Sequence, residues 1–214
     1  TIIMSQLTEQ TVARYLLEVE AVKLRPNEPF TWASGWKSPI YCDNRRTLSY
    51  PSARDYIKMA MAKAIADRYP QTEVIAGVAT GAISWGALVA DALHLPFVYV
   101  RSQAKDHGMQ NLIEGYLPEQ SKVLVVEDLI STGGSSLKAV EALRAAGADV
   151  LALYAVYTHG FAVAEDLFAE AKVPMHTLSN YGAVLTEAEK IGYITPDLKP
   201  LLDEWRKDPA HWRQ

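Results

Sequence analysis

The sequence lacks several features that mark other classes of protein. Cys42 is the only cysteine among its 214 residues, so no internal disulfide can form, and we expect a cytoplasmic rather than a secreted protein. No apolar run approaches the roughly 20 residues that span a membrane, so we expect no membrane partner. Lysine and arginine total 21 against 25 aspartates and glutamates, a net charge of −4. We therefore expect no nucleic-acid partner, because such proteins usually carry a basic excess that neutralises phosphates.

Two common nucleotide-binding motifs are also missing. The pattern GxxxxGK[ST] of P-loop nucleotide hydrolases does not occur, and Gly77, Gly81 and Gly86 lack the GxGxxG spacing of dinucleotide-binding proteins. A phosphate site in this chain therefore has to be built from another motif.

Four apolar runs rich in valine and isoleucine indicate a parallel sheet. They lie at residues 73–79, 95–100, 122–128 and 148–157. The runs do not alternate strictly, as strands that expose one face to water do. Helical stretches lie between or after them, at residues 83–94, 134–146 and 161–172. Earlier helices are predicted at about 8–21, with Thr8 as N-cap, and at 51–69, beginning at Pro51. This alternation predicts an α/β fold that binds ligands at the carboxyl ends of its strands.

The strongest functional signal is VLVVEDLISTGGS at residues 123–135. A buried strand delivers two adjacent acids, Glu127 and Asp128, and the chain then enters a helix through hydroxyl residues and glycines. These are Ser131, Thr132, Gly133, Gly134 and Ser135. Backbone N–H groups at a helix start form an anion cradle, and two glycines allow close approach of a phosphate. Carboxylates beside it suit ribose hydroxyls, so the motif predicts a ribose 5-phosphate site; the alternative, an ordinary helix cap, explains one hydroxyl but not the paired acids.

A charged segment follows the second apolar run. Residues 102–121 join two predicted strands with little periodicity, and their length and composition favour a functional lid. Arg101, Lys105 and His107 supply three potential cations suited to a diphosphate. A solvated charged loop is the alternative.

A small-residue turn, GVATGAIS, occupies residues 77–84. The backbone N–H groups of Thr80 and Gly81 are candidates for binding diphosphate oxygens. On spacing alone, a plain turn before a helix is equally compatible.

Three motifs, taken in order, resemble a known family. VVEDLISTGGS is similar to the phosphoribosyl diphosphate (PRPP) binding motif of the type I phosphoribosyltransferases. FTWASGWKSPIYCDNR at 30–45 and VRSQAKDHG at 100–108 resemble the orotate-using branch of that family. The resemblance extends over about residues 8–207.

The resemblance implies a fold and a domain organisation. The fold is a central, mostly parallel sheet of about five strands flanked by helices, with a small N-terminal hood and a flexible lid loop. Residues 1–214 would form one phosphoribosyltransferase domain. Its parts would be an N-terminal helix and hood at about 8–48, an α/β core at about 49–180 and a C-terminal helical part at about 181–214.

The resemblance also implies an activity. The 5-phosphoribosyl group of PRPP would pass to N1 of orotate, giving orotidine 5′-phosphate and diphosphate in pyrimidine synthesis. Mg²⁺ would be the cofactor, held mainly through PRPP, with no ligand supplied directly by the protein. The protein would be a homodimer with active sites shared between subunits. The alternatives are another purine or pyrimidine phosphoribosyltransferase, or a non-catalytic PRPP-sensing regulator on the same fold.

The family motifs assign roles to individual residues. The predicted catalytic residues are Lys105, His107, Asp128 and Glu127. The predicted PRPP-binding residues are Arg101, Lys105, His107, Glu127, Asp128, Leu129, Ile130, Ser131, Thr132, Gly133, Gly134, Ser135, Thr80 and Gly81. The predicted orotate-binding residues are Ser131, Lys37 and Phe30.

Two positions depart from the family pattern. Ser102 and Gln103 stand where family loops usually carry a further lysine, so the lid has one cation fewer. The sequence YTHGF, around His159, stands where many members carry an Asp-Arg pair whose arginine helps to hold orotate. The pyrimidine contacts are therefore predicted to come from backbone groups and the Ser131 region.

Cys42 is predicted to be a small buried residue rather than a nucleophile, because no base lies near it in sequence.

Overall fold

A six-stranded sheet in the order β10-β9-β8-β5-β6-β7 forms the centre of the fold. The computed structural model describes residues 2–103 and 112–213. The strands of the central sheet are β5 (Val74–Val78), β6 (Phe97–Val100), β7 (Ile113–Glu114), β8 (Lys122–Ile130), β9 (Asp149–Thr158) and β10 (Met175–Asn180). Adjacent strands pair in parallel from β10 to β6, and only the edge strand β7 runs antiparallel to its neighbour β6. The predicted parallel α/β sheet is confirmed, and β7 and β10 are strands of this sheet that lie outside the four predicted apolar runs.

Helices cover both faces of this sheet. They are α1 (Ile2–Glu18), α2 (Pro51–Arg68), α3 (Ile83–Leu93), α4 (Gly134–Ala145), α5 (Ala162–Glu170), α6 (Tyr181–Lys190) and α7 (Lys199–Lys207). Buried residues of α1, α2, α3, α6 and α7 share one apolar cluster, and those of α4 and α5 share a second cluster on the opposite face. The crossover from β5 to β6 therefore runs on one face, while the crossovers from β8 to β9 and on to β10 run on the other.

The reversal of crossover direction places a crevice between β5 and β8. Parallel α/β sheets bind their ligands where neighbouring strands lead to helices on opposite faces, outside the carboxyl ends of the strands. In the register, Gly77 of β5 pairs with Val126 of β8, so the segments that follow these two residues emerge side by side. The fold thus brings the 77–84 turn next to the predicted ribose phosphate motif.

A small hood of short strands stands over the carboxyl edge of the sheet. Strands β1 (Val22–Leu24) and β4 (Ile40–Cys42) form one antiparallel pair, and β2 (Phe30–Thr31) and β3 (Lys37–Ser38) form another. A 3-10 helix, Asn44–Ser49, connects the hood to α2. The buried Asn44 amide donates a hydrogen bond of 2.7 Å to the Asp128 carbonyl oxygen. This bond fixes the hood to the strand that carries the paired acids.

The predicted start of the first helix is wrong. Helix α1 begins at Ile2, so Thr8 lies inside it and is not an N-cap. No proline or glycine interrupts the segment before Thr8, so the helix extends further toward the N-terminus than the apolar pattern alone indicates. The helix ends near Glu20, whose φ of 57° is incompatible with its continuation. The predicted helix at Pro51 is confirmed, with Tyr69 as its C-cap.

No helix within residues 2–103 and 112–213 is both long enough and apolar enough to cross a membrane. This finding agrees with the lack of long apolar runs in the sequence.

Candidate functional site

A polar cleft of about 380 Å³ opens at the crevice between β5 and β8. Three segments line it: the end of the hood, the turn after β5, and the segment from the end of β8 into α4. The lining residues are Cys42, Asp43, Arg45, Ala79, Thr80, Gly81, Glu127, Asp128, Leu129, Ser131, Thr132, Gly133, Ser135 and Ser136. Nine predicted PRPP-binding residues are among these: Thr80, Gly81, Glu127, Asp128, Leu129, Ser131, Thr132, Gly133 and Ser135.

The floor of the cleft has the geometry of an anion cradle. Strand β8 ends at Ile130, and α4 begins at Gly134, so the intervening loop presents the unpaired backbone N–H groups of a helix start. Gly133 has a φ of +86°, a conformation that side chains rarely adopt, and a Cβ there would approach the Phe168 ring to 3.1 Å. A Cβ at Gly134 would meet no atom within 4 Å. Gly133 is therefore required by backbone conformation and packing, which differs from the sequence-based reason, close approach of a phosphate.

Two acids form the wall beside this cradle. Glu127 is 4% exposed, and its two carboxylate oxygens accept hydrogen bonds from the Asp128 backbone N–H at 3.0 Å and from the Ser136 hydroxyl at 2.8 Å. Asp128 packs against Gly81, where a Cβ would overlap its carboxylate. The Glu127 carboxylate is thus held in place by hydrogen bonds from the Asp128 backbone and the Ser136 side chain. The turn after β5 leaves room for the Asp128 side chain only because residue 81 is glycine.

Burial raises the pKa of both acids. For Glu127, burial is the largest cause and the neighbouring Asp128 carboxylate the second, and its pKa lies well above the usual range. Burial also raises the pKa of Asp128, against a hydrogen bond with Glu127 and the positive charge of Arg45, which favour the ionised form. The pair therefore holds a proton on Glu127 more readily and concentrates its negative charge on Asp128.

We expect the Glu127→Gln variant to be more stable than the wild type at pH 8. A carboxyl group whose pKa is raised by folding loses stability as the pH increases from its unfolded pKa through its folded pKa, and glutamine does not titrate. Thermal unfolding followed from pH 4.5 to pH 8 should show a difference in Tm that grows with pH, by a few degrees. The exposed Glu204→Gln is the matched control. A Tm difference between variant and wild type that stays constant from pH 4.5 to pH 8 would contradict a raised pKa for Glu127.

A second chamber of about 250 Å³ adjoins the cleft. It is lined by Thr31, Trp32, Ala33, Tyr41, Cys42, Leu129, Ser131 and His159, of which Cys42, Leu129 and Ser131 also line the cleft. Its walls are mainly aromatic and aliphatic, with the stacked rings of Trp32 and His159 at a centroid distance of 5.3 Å. A flat, partly apolar molecule therefore fits this chamber next to the polar cleft.

Cys42 lies between the two chambers and is not an activated nucleophile. Burial raises the pKa of its thiol well above the usual value, and the nearby Asp128 and Asp43 carboxylates raise it further. The thiol donates a hydrogen bond to the Asn44 side-chain oxygen at 3.1 Å. A protonated thiol of this kind is a poor nucleophile, which agrees with the sequence-based expectation.

Five predicted site residues lie outside the lining of both chambers. Ile130 is buried in the cluster beneath α4, and Gly134 starts that helix. The Lys37 ammonium donates to the Thr31 hydroxyl at 2.8 Å, and so contacts a residue of the second chamber without lining it. The Phe30 ring packs on Tyr41 at 5.7 Å. Arg101, at the end of β6, has its guanidinium 3.7 Å from the Glu114 carboxylate of its own chain.

Lys105 and His107 fall outside the residues that the structure describes. Their roles at the diphosphate remain predictions.

Several lining residues were not predicted from the sequence to belong to the site. Arg45 and Asp43 line the cleft and form an ion pair at 2.8 Å; the available signal was the charged pattern CDNR directly before a helix. Trp32 and His159 lie far apart in the sequence and meet only in the folded chain. Among the described residues no group of three or more histidine, cysteine, aspartate and glutamate side chains is arranged to hold a metal ion.

Comparisons with known proteins agree with this architecture. Residues 51–184 match the family described as phosphoribosyl transferase domain. The chain is 62% identical over 204 residues to an orotate phosphoribosyltransferase of Bacteroides fragilis, covering 95% of this chain and 96% of that relative. The solved orotate phosphoribosyltransferase of Aeropyrum pernix has a TM-score of 0.74 at 30% identity, covering 86% of this chain and 99% of that one. The Mycobacterium tuberculosis orotate phosphoribosyltransferase in complex with PRPP has a TM-score of 0.63 at 26% identity, covering 83% and 98%.

Proposed function

The chain belongs to the orotate phosphoribosyltransferases of the phosphoribosyl transferase family, and on this premise we propose that it joins PRPP and orotate in the two adjoining chambers. The polar cleft takes PRPP, and the aromatic chamber takes orotate. The products are orotidine 5′-phosphate and diphosphate. The observation that carries the proposal is the continuity of the two chambers through Cys42, Leu129 and Ser131.

The cleft suits PRPP group by group. The 5-phosphate is placed at the start of α4, where backbone N–H groups and the hydroxyls of Ser131, Thr132 and Ser135 offer hydrogen-bond donors. The ribose hydroxyls are placed at Glu127 and Asp128, whose carboxylates accept hydrogen bonds. The diphosphate is placed toward Thr80 and Gly81, across the cleft from the cradle. Arg45 lines the cleft close enough to act on the Asp128 carboxylate, and it supplies positive charge that does not depend on the lid.

The reaction requires positioning and electrostatics rather than a protein nucleophile. A bond forms between N1 of orotate and C1 of the ribose while the bond from C1 to the diphosphate oxygen breaks. The bonding electron pair leaves with diphosphate, and the N1 proton is released. Positive charge develops on the ribose ring, and the negative charge of Asp128 beside the ring stabilises it.

We propose Mg²⁺ as the cofactor, although the cleft offers few carboxylate oxygens that could bind it. Mg²⁺ usually keeps several waters and binds through one or two carboxylates plus substrate phosphates. Asp128 and Glu127 are the carboxylates of the cleft close to the ribose, and both oxygens of Glu127 already accept hydrogen bonds. We place the ion on PRPP oxygens, with no ligand supplied directly by the protein. An ion bound there would neutralise part of the charge on the departing diphosphate.

The proposal includes a homodimer with shared sites and a cytoplasmic location. Arg101 does not line the cleft of its own chain and faces Glu114 instead, which supports a role for the lid outside its own subunit's cleft. Two-fold symmetry gives two equivalent composite sites. The unpaired Cys42 thiol supports the cytoplasmic location.

We expect Thr132→Val to raise the KM for PRPP about tenfold or more, because it removes a hydroxyl from the phosphate cradle and keeps the shape of the side chain. Steady-state kinetics with PRPP varied at saturating orotate measure this effect, with the exposed Thr186→Val as the control. Gly133→Val is a less specific variant, because it also presses on Phe168. An unchanged KM for PRPP would remove the phosphate from this cradle.

A panel of bases tests the proposed function. The protein is incubated with PRPP and Mg²⁺ and with orotate, uracil, adenine or guanine, and loss of orotate absorbance and release of diphosphate are followed. We expect turnover with orotate and little or none with the others. Turnover of another base in place of orotate would overturn the substrate, and PRPP binding without turnover of any base would support a regulator.

A further inference from the structure

Arg45 is the only cationic side chain among the described residues that line the polar cleft, and three acids line the same cleft. The acids are Asp43, Glu127 and Asp128. The proposed ligand carries a phosphate and a diphosphate, and negative side chains that outnumber positive ones repel such a ligand. Within residues 2–103 and 112–213, Arg45 is therefore the cleft side chain best suited to attract the anionic groups of the ligand.

The Arg45 guanidinium is paired with Asp43, two residues earlier in the chain. Its Nε donates to Oδ1 of Asp43 at 2.8 Å and its Nη2 donates to Oδ2 at 3.1 Å, so the pair is bidentate. Oδ1 also accepts the Arg45 backbone N–H at 3.2 Å, because Asp43 caps the 3-10 helix Asn44–Ser49. The side-chain hydrogen bond from Arg45 lowers the pKa of Asp43. Asp43 is therefore ionised at neutral pH and neutralises the charge of the one cation in this lining.

The ion pair leaves part of the guanidinium available to a ligand. Arginine has five side-chain N–H donors, and Asp43 accepts two of them. The other three have no partner in the part of the chain that the structure describes. The Arg45 side chain is 57% exposed and that of Asp43 is 31% exposed, so an anion can reach both. Because an exposed ion pair contributes little to stability, an entering anion can replace the Asp43 carboxylate at small cost.

The neighbours of Arg45 connect it to the proposed diphosphate end of the cleft. Asn44, which directly precedes it, donates to the Asp128 carbonyl oxygen at 2.7 Å. Burial raises the pKa of the Asp128 carboxyl and the charge of Arg45 opposes that rise, so the two side chains lie close together. The Asp128 carboxylate in turn packs against Gly81. These contacts connect Arg45 through Asp128 to Gly81, and among the described residues no hydrogen bond or ion pair connects its side chain to the phosphate cradle at the start of α4.

We propose that Arg45 binds the diphosphate oxygens of PRPP and that Asp43 competes with those oxygens for its guanidinium. A guanidinium binds phosphate oxygens with the same two-pronged geometry that it uses for a carboxylate. The diphosphate thus replaces the Asp43 carboxylate when PRPP enters. Arg45 is a further substrate-binding residue, supplied by the subunit that carries the phosphate cradle, and Asp43 sets the affinity of the cleft. This inference rests on the proposed function.

The reverse reaction separates the two phosphate positions experimentally. Its substrates are orotidine 5′-phosphate, which carries only the 5′-phosphate, and free diphosphate. Arg45→Gln should raise the KM for PRPP and the KM for diphosphate about tenfold or more, because charge-assisted hydrogen bonds are lost. The Kd of orotidine 5′-phosphate, measured by calorimetry, should stay within twofold of the wild-type value.

Arg46→Gln is the matched control. Arg46 lies in the same 3-10 helix, does not line the cleft, and donates to the Glu20 carboxylate at 3.3 Å. Its substitution removes the same charge from the same short segment. The KM for PRPP, the KM for diphosphate and the Kd of orotidine 5′-phosphate should all stay within twofold of the wild-type values.

Asp43→Asn should have the opposite effect to Arg45→Gln. Asparagine keeps an oxygen that can cap the 3-10 helix but carries no charge, so Arg45 loses its competitor and the cleft loses one negative charge. We expect the KM for PRPP and the KM for diphosphate to fall about threefold, in keeping with the strength of an exposed ion pair. Damage to the hood would weaken binding in both variants, so opposite changes at the two partners cannot come from loss of structure.

Each failure has its own signature. An unchanged KM for diphosphate in Arg45→Gln would overturn the role of Arg45, and a Kd of orotidine 5′-phosphate that rises equally would place Arg45 at the 5′-phosphate instead. A KM for PRPP that does not fall in Asp43→Asn would overturn the competition. All of these results leave the proposed function intact as long as the wild type converts orotate. A wild type that turns over neither orotate nor orotidine 5′-phosphate would overturn the proposed function, and the inference with it.

Discussion

Asp128→Asn should lower kcat by about two to three orders of magnitude, the size of effect seen when one preorganised electrostatic group is removed from an active site. Asparagine has nearly the same shape but no charge, so the developing positive charge on the ribose loses its nearest negative partner. The bond from Asn44 goes to the main-chain carbonyl of residue 128 and is retained. Because burial raises the pKa of this carboxyl, removing its charge should not reduce stability at neutral pH.

Steady-state kinetics of the purified variant measure the expected fall in kcat, and thermal unfolding measures whether its stability is unchanged. Asp67→Asn is the matched control, since Asp67 lies exposed on α2 in a surface ion pair with Lys63. An unchanged kcat in a folded Asp128→Asn variant would remove Asp128 from the chemistry.

Mixing two inactive variants should restore activity if the sites are shared between subunits. Lys105→Ala and Asp128→Asn alone should each be nearly inactive, because every site in either homodimer lacks one required group. In a mixed dimer, one site collects both lesions and the other is intact, so activity should return to about half of the wild-type value per mixed dimer. Native mass spectrometry confirms subunit exchange, and the rate of diphosphate release measures the activity.

The matched control combines two lesions on the same side of the composite site. A Cβ at Gly81 overlaps the Asp128 carboxylate, so Gly81→Ala should disable the same half-site as Asp128→Asn. Mixed dimers of these two variants keep one lesion in each site and should stay inactive. No recovery with Lys105→Ala after confirmed exchange would mean that the lid serves its own chain. Recovery in the control would mean that residues 81 and 128 do not serve the same site.

The cleft was largely predictable from the sequence because its parts are local. The strand, the paired acids Glu127 and Asp128, and the helix start follow one another within 123–135, so spacing alone places them together. The turn at Thr80 and Gly81 could be placed beside them, since parallel strands end at a common edge. The division into hood, core and C-terminal part stays a prediction.

The second chamber was not predictable in the same way. Trp32 comes from the hood, Leu129 from the end of β8 and His159 from the end of β9, and no spacing in the sequence links them. His159 lies in a short polar break after an apolar strand, where sequence alone offers no measure of burial. The packing of Trp205, whose indole N–H donates to the Lys37 carbonyl at 3.2 Å, fixes the hood above this chamber.

The central claim is that one site joins a phosphate cradle to a pyrimidine chamber, and a crystal structure with orotidine 5′-phosphate tests it most directly. The account predicts the 5′-phosphate at the start of α4, the ribose hydroxyls at Glu127 and Asp128, and the pyrimidine between Leu129 and the stacked rings of Trp32 and His159. A nucleotide whose phosphate occupies the loop of Thr80 and Gly81, or whose base lies outside the second chamber, would contradict it.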